Sequence, residues 1–348
     1  MEGAFAGALP LAPVDSSSAT SLFYSFYSMI KKDVIFDTDP GVDDAMALLF
    51  LARAPQVHLR GITTGHGNGD IENTTRNALY LKDRFRIEAG VYRGAAGPLK
   101  GEPFAPPTFI HGENALGGIA IPAKQGSRIG VPSAHQFIVD SVRQHPHQIS
   151  IVAVGRLTNL ALAFREAPEI AALIKEVVIM GGAFGYHGHT GNVTPLAEAN
   201  IYGDPQAADE VLGAACPITV VGLDVTQQTV MSGAYLDRLA ETAGEEGRFI
   251  REISRGYEQF HHTVGLPDGF YVNDSCAVAY LLDPSLFTAV AGTVRVVTEG
   301  FAAGHTICSR EGAWGARPSQ RVCVDIRADA FLELYESVLV GKPTRQLV

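Results

Sequence analysis

From residue 34 onward, short apolar runs of strand length alternate with stretches whose apolar positions recur every three or four residues. The runs at 34–37, 57–63, 89–92, 149–154, 177–180 and 218–223 are bounded for the most part by Gly, Asp, Asn or Thr, which predicts strands. The intervening stretches at 42–52, 73–84, 134–144, 157–165 and 205–212 predict helices with one apolar face. Repeated βα units of this kind imply a doubly wound α/β fold: a mostly parallel central sheet with helices on both faces. In such sheets ligands bind beyond the carboxyl ends of the strands, so the residues that follow each strand are the ones to search for chemistry.

The C-terminal third adds helices over 248–262, from 274 onward and over 328–339, with strands at 293–298 and 321–326. No linker interrupts this pattern, so residues 29–348 are expected to form a single catalytic domain. Residues 1–28 differ in character, with Pro10, Pro13, the Ser16-Ser17-Ser18 run and an aromatic cluster from Phe23 to Tyr27, and are expected to be a disordered or appended extension. The formal charge of −10 and pI near 5.5 exclude a protein whose main partner is a nucleic-acid backbone or an anionic membrane surface. No apolar run approaches the roughly 18–20 residues of a membrane-spanning helix. Cys216, Cys276, Cys308 and Cys323 have no C-x-x-C pairing and are expected to be buried thiols in a reducing, cytoplasmic setting.

The chemistry concentrates where the first strand meets the first helix, in Asp37-Thr38-Asp39-Pro40-Gly41-Val42-Asp43-Asp44. Four carboxylates within eight residues repel one another in a desolvated cleft unless a cation or shared protons offset the charge. An all-oxygen donor set selects a hard ion such as Ca²⁺ or Mg²⁺. The competing reading makes Asp39 or Asp43 a plain helix cap.

This stretch resembles the signature of the inosine-uridine nucleoside hydrolase family, and further blocks follow in the family's order. They are Thr63-Thr64-Gly65-His66-Gly67-Asn68 with Thr75-Arg76-Asn77-Ala78, then Tyr92-Arg93-Gly94 and Ile110-His111-Gly112. Next come Val154-Gly155-Arg156-Leu157-Thr158-Asn159-Leu160-Ala161, Val178-Ile179-Met180-Gly181-Gly182, Gly191-Asn192, Ala197-Glu198-Ala199-Asn200 and Asn273-Asp274. The match runs from about residue 33 to 340. The resemblance implies a nucleoside hydrolase-like fold and Ca²⁺-dependent hydrolysis of the N-glycosidic bond of ribonucleosides, releasing base and ribose for salvage. It implies Asp39, Asp44, Asp274 and the main-chain carbonyl of Val154 as ion ligands. It implies Asp43, Asn68, Asn192, Glu198 and Asn200 as ribose contacts, with Met180 lining the sugar. Homodimers or homotetramers are usual among such proteins and are expected here.

Cleavage of a C1′–N bond by water passes through an oxocarbenium-like state, which calls for an activated water on one face of the sugar and charge stabilisation around the ring. A hard cation lowers the cost of deprotonating water, and Asp39, placed to touch ion and water alike, is the expected general base. At one point the pattern departs from the family. Many members have His immediately before the last Asp, where it acts as acid on the departing base, whereas this chain has Asn273, which cannot deliver a proton. His111, His261 or His262 titrating near neutrality, stacking of the base on Phe184, Tyr186, Tyr257, Phe260, Phe270 or Tyr271, or a different ligand altogether are the options this leaves. His111 and Asn273 are therefore also expected to touch substrate. The rival functions are a nucleoside-binding or sensing protein with weak or no catalysis, and a hydrolase of another N-ribosyl metabolite.

Overall fold

Strand β1 (Lys32–Thr38) sends Val34 and Phe36 to one face of the sheet and Ile35 to the other, and all three are fully buried. The same two-sided burial recurs in β4 (Ile149–Ala153), where Ile151 and Val152 enter opposite cores, and in β5 (Glu176–Met180), where Val177 and Val178 do. Continuous apolar runs are what a parallel strand covered on both faces requires. The computed structural model describes residues 31–341. The extension expected over residues 1–28 lies outside the described residues.

The other sheet strands are β2 (Val57–Thr64), β3 (Gly90–Arg93), β6 (Ile218–Val221), β9 (Phe287–Val296), β10 (Thr306–Ser309) and β11 (Ser319–Ile326), while β7 (Val230–Met231) and β8 (Phe270–Tyr271) form a separate small pair. Among the described residues the main sheet has nine strands in the order β10-β9-β11-β6-β5-β4-β1-β2-β3. The run from β3 to β11 is parallel, and β9 and β10 close one edge antiparallel. From β1 the chain winds outward through β2 and β3, then returns to the other side of β1 with β4. This reversal creates a crevice at the carboxyl ends of β1 and β4, the place where open α/β sheets bind ligands.

On one face lie helices α1 (Val42–Arg53) and α2 (Ile71–Phe85); on the other lie α3 (Ala134–Gln144), α4 (Thr158–Glu166) and α5 (Pro205–Leu212). The first face also takes α6 (Gly233–Thr242), α7 (Gly244–Thr263), α8 (Asp274–Leu282) and α9 (Ala328–Val340). Helices α1 and α8 differ from the rest. Val42 to Leu51 in α1 and Asp274 to Leu281 in α8 are buried on every side, which makes them core helices packed together beneath the crevice.

Two expectations from the sequence are corrected. The strand expected at 293–298 is the second half of β9, which starts at Phe287 and pairs with the unforeseen β10; exposed Thr288 and Ala289 had hidden its first half. Cys308, on β10, is half-buried rather than buried, because it sits on an edge strand; the other three cysteines are buried and all four are free thiols. No helix among the described residues is long and apolar enough to cross a membrane.

Candidate active site

The two core helices aim their N-termini at one point. Asp43 and Asp44 stand in the first turn of α1 and Asp274 opens α8, and one carboxylate oxygen from each lies within 4.8 Å of the other two. Helix N-termini carry partial positive charge that favours such carboxylates, but all three side chains are buried and face one another. Burial, with mutual repulsion behind it, drives the Asp274 carboxyl well above the ordinary range and raises those of Asp43 and Asp44.

Asp44 is the best anchored of the three. Its Oδ1 accepts from the Thr38 hydroxyl at 2.6 Å and the Asp39 N–H at 3.2 Å, and its Oδ2 from the Gly41 N–H at 3.0 Å and the Asn68 amide at 2.7 Å. Asp39 follows β1 and is completely buried. Its Oδ2 accepts from the Asn68 N–H at 2.8 Å and from the Arg156 guanidinium, while its Oδ1 has no hydrogen-bond partner. Asp43 Oδ1 is likewise unpartnered. Asp37, the fourth acidic residue of the run, is tied to β2 by the Thr63 hydroxyl and to α4 by the Asn159 amide, and burial pushes its carboxyl up to about 6. It belongs to the scaffold.

Buried carboxylate oxygens without partners, in a donor set made only of oxygen, fit a hard divalent cation. Asp43, Asp44 and Asp274 are the side chains brought into one cluster, with Asp39 turned towards Arg156 beside them. The Val154 carbonyl, just past β4, accepts from the Asn200 amide at 2.8 Å.

The expected sugar-side residues follow the carboxyl ends of β2 and β5. Glu198 is buried, accepting from the N–H groups of Gly182, Asn200 and Ile201. Asn200 also donates to the Met180 carbonyl at 3.2 Å and approaches the Met180 sulfur at 3.4 Å, so Met180, Val154, Glu198 and Asn200 form one rigid wall. Asn192 stands apart on the exposed rim, its Oδ1 accepting from the Ala199 N–H at 3.0 Å.

On the opposite wall, the Thr226 hydroxyl donates to Asn273 Oδ1 at 2.9 Å, which turns the Asn273 amide nitrogen towards Tyr257 Oη at 3.2 Å and Asp43 Oδ2 at 3.5 Å. Tyr257 itself donates to Asp43 at 3.1 Å, and burial keeps its phenol protonated. His111 Nδ1 accepts from the Val42 N–H at 3.2 Å, leaving Nε2 as the protonated nitrogen of a neutral ring. Burial pushes His111 down to about 4 and lowers His261, which corrects the expectation that these two titrate near neutrality. Phe270 is fully buried in the core and unavailable for stacking. A cleft of about 570 Å³ lined by Phe109, Ile110, Gly117, Gln259 and Phe260 opens next to His111 along the chain. Among the residues bound into this network, Arg156 and Thr226 had been given no role from sequence; an Arg directly after a strand end was the one available sign for Arg156.

The raised carboxyls also set a pH dependence. Their raised proton affinity competes with any cation for the same oxygens, so a divalent cation is expected to bind there more tightly as pH rises. The stabilisation by such a cation, with calcium as the probe, is expected to be larger at pH 7.5 than at pH 5, reaching about 2.7 kcal/mol at a hundredfold excess over its dissociation constant. Thermal melts with calcium or chelator at each pH check this. Taking the difference at fixed pH cancels the opposite contribution of the buried histidines, and a shift that shrinks towards neutral pH would remove the carboxylates from the ion site.

Comparison with known proteins agrees with this geometry. Residues 34–333 match the model of the inosine-uridine preferring nucleoside hydrolase family. A probable uridine nucleosidase 1 of Oryza sativa subsp. japonica is 39% identical over 275 residues, covering 79% of this chain and 84% of the relative. A non-specific ribonucleoside hydrolase, RihC, of Escherichia coli is 35% identical over 311 residues, covering 89% and 99%. Among solved structures, a plant nucleoside hydrolase, the PpNRh1 enzyme, superposes with a TM-score of 0.84 at 34% identity, covering 89% of this chain and 99% of that one. With a switch-point crevice, a clustered acidic site and a family match over most of its length, the chain belongs to the inosine-uridine preferring nucleoside hydrolases, enzymes that hydrolyse the N-glycosidic bond of ribonucleosides.

Proposed function

We propose that the protein is a calcium-dependent ribonucleoside hydrolase with uridine among its substrates, releasing base and ribose for salvage. The observation that carries this reading is the convergence of Asp43, Asp44 and Asp274 beside an Asp39 whose Oδ1 is buried and unpartnered. Uridine is favoured because a relative sharing 39% identity is named a probable uridine nucleosidase. Calcium, held by Asp44 and Asp274 with Asp43 or Asp39 and the Val154 carbonyl, would neutralise the cluster and make water easier to deprotonate.

The protein's own groups supply the rest. Asp39 takes the proton of the attacking water through Oδ1. Asn68, Glu198 and Asn200 hold ribose hydroxyls against the wall formed with Met180, and Asn273, fixed by Thr226, offers an N–H to the base side. Neutral His111 donates through Nε2 without carrying charge. A tight ring of hydroxyl-binding groups predicts discrimination between sugars. A buried polar group left unpaired costs about 1–3 kcal/mol, so 2′-deoxyuridine should be cleaved roughly 5- to 150-fold less efficiently than uridine.

The test is chromatographic detection of free base and ribose after incubation with uridine, cytidine, inosine, adenosine, guanosine and 2′-deoxyuridine, with calcium or chelator. Release from uridine that stops on chelation supports the proposal. Calcium binding without release from any of the six would replace it with a nucleoside-binding protein or a hydrolase of another N-ribosyl compound.

A further inference from the structure

Arg156 ends the Val154-Gly155 exit from β4, and the chemistry described so far gives it no task. Its side chain is only 10% exposed, and its guanidinium donates to Asp39 Oδ2, the oxygen that also takes the Asn68 N–H. Glycines make room for it on two sides. A Cβ on Gly203 would lie 2.4 Å from Arg156 Nε, and one on Gly67 would lie 1.9 Å from Nη1 and 1.8 Å from Asp39 Oδ2. The chain thus leaves a slot that a guanidinium threads to reach a single carboxylate oxygen. Such burial of a charge is unfavourable unless a partner is fixed in return.

We propose that Arg156 is a positioning residue for hydrolysis: together with the Asn68 N–H it occupies Oδ2 of Asp39 and so holds Oδ1 towards the reacting water. The inference rests on Asp39 being the general base. A buried charge-assisted hydrogen bond to one oxygen fixes which way the carboxylate faces, and a base displaced by about 1 Å loses on the order of 10²-fold in rate. Arg156 also sets its positive charge beside the acidic cluster, so it does not help to hold a cation there. Its removal should therefore slow catalysis without weakening calcium binding, a combination that simple loss of structure does not produce.

The experiment measures uridine kinetics at saturating calcium for Arg156→Ala, Gly203→Ala, Asp39→Asn and the Arg156→Ala/Asp39→Asn double variant, with calorimetric titration of calcium into each. The expected result for Arg156→Ala is a fall of about 100-fold in kcat, KM within about threefold of the parent, and no rise in the calcium dissociation constant. Added guanidinium, entering the vacated slot, should recover about tenfold of the loss. Gly203→Ala, which pushes on the Arg156 stem and removes no polar group, should lower kcat in the same sense even where Arg156→Ala folds poorly. The double variant should be no slower than Asp39→Asn alone. The inference is overturned by an Arg156→Ala kcat within about threefold of the parent, by loss of calcium binding in that variant, or by absence of guanidinium rescue. If Asp39→Asn is inactive while Arg156→Ala is fast, only the role of Arg156 falls. If Asp39→Asn is itself active, the general-base assignment falls first.

Discussion

Asp39→Asn is expected to lower kcat for uridine by about 10²- to 10⁴-fold, the range that general acid–base catalysis commonly contributes. The substitution keeps the shape of a side chain that is 0% exposed, so the walls of the crevice stay in place. It removes an acceptor whose lone pairs are free, since Oδ1 is unpartnered while Oδ2 is satisfied by Asn68 and Arg156. Two stability effects oppose each other: Arg156 loses its counter-charge, and Asp44 loses a repulsive neighbour. The melting midpoint should therefore move far less than the rate. Steady-state kinetics on the folded variant settle the matter, and a kcat within about tenfold of the parent would take Asp39 out of the proton-transfer step.

The second large effect is expected at Asp274, and it has opposite signs for function and stability. At 4.8 Å and an effective dielectric near 20, two ionised carboxylates repel by on the order of 3 kcal/mol. Raised proton affinity absorbs part of this, so the recoverable amount is smaller. Asp274→Asn removes its repulsion with Asp43 and Asp44 while giving up an acidic residue at a helix N-terminus, worth about 0.3–1 kcal/mol. The calcium-free protein should therefore melt higher than the parent, calcium should cease to raise the midpoint, and turnover should fall by about 10³-fold. A variant that melts lower and still gains stability from calcium would place the ion elsewhere.

The parallel half of the fold was legible because its strands are covered on both faces: unbroken apolar runs such as 149–154 cannot be satisfied in solvent. Helix α1, expected to have one apolar face, is instead buried on every side. The antiparallel edge was harder to read. β9 is exposed at Thr288, Ala289 and Ala291 in its first half and β10 is four residues long, so neither pattern stands out from its flanks. The acidic residues of the site were visible as types at strand ends. Their division of labour was not, since Asp37 differs from Asp39 only through partners drawn from β2 and α4, Thr63 and Asn159. The same holds for the histidines. Whether His111 is charged depends on its burial, and the Val42 N–H that fixes its tautomer lies 69 residues away in the chain.

Because α1 and α8 bring their N-terminal carboxylates together, the acidic cluster joins segments far apart in the chain, Asp43 and Asp274 being separated by 231 positions. Closing so long a loop is entropically slow, and charge repulsion works against the last step. The ion site is then expected to be a late product of folding rather than a nucleus. A divalent cation bound there would act mainly as a latch on the finished enzyme, slowing its opening more than speeding its assembly, so that the lifetime of the folded protein would follow the supply of that cation.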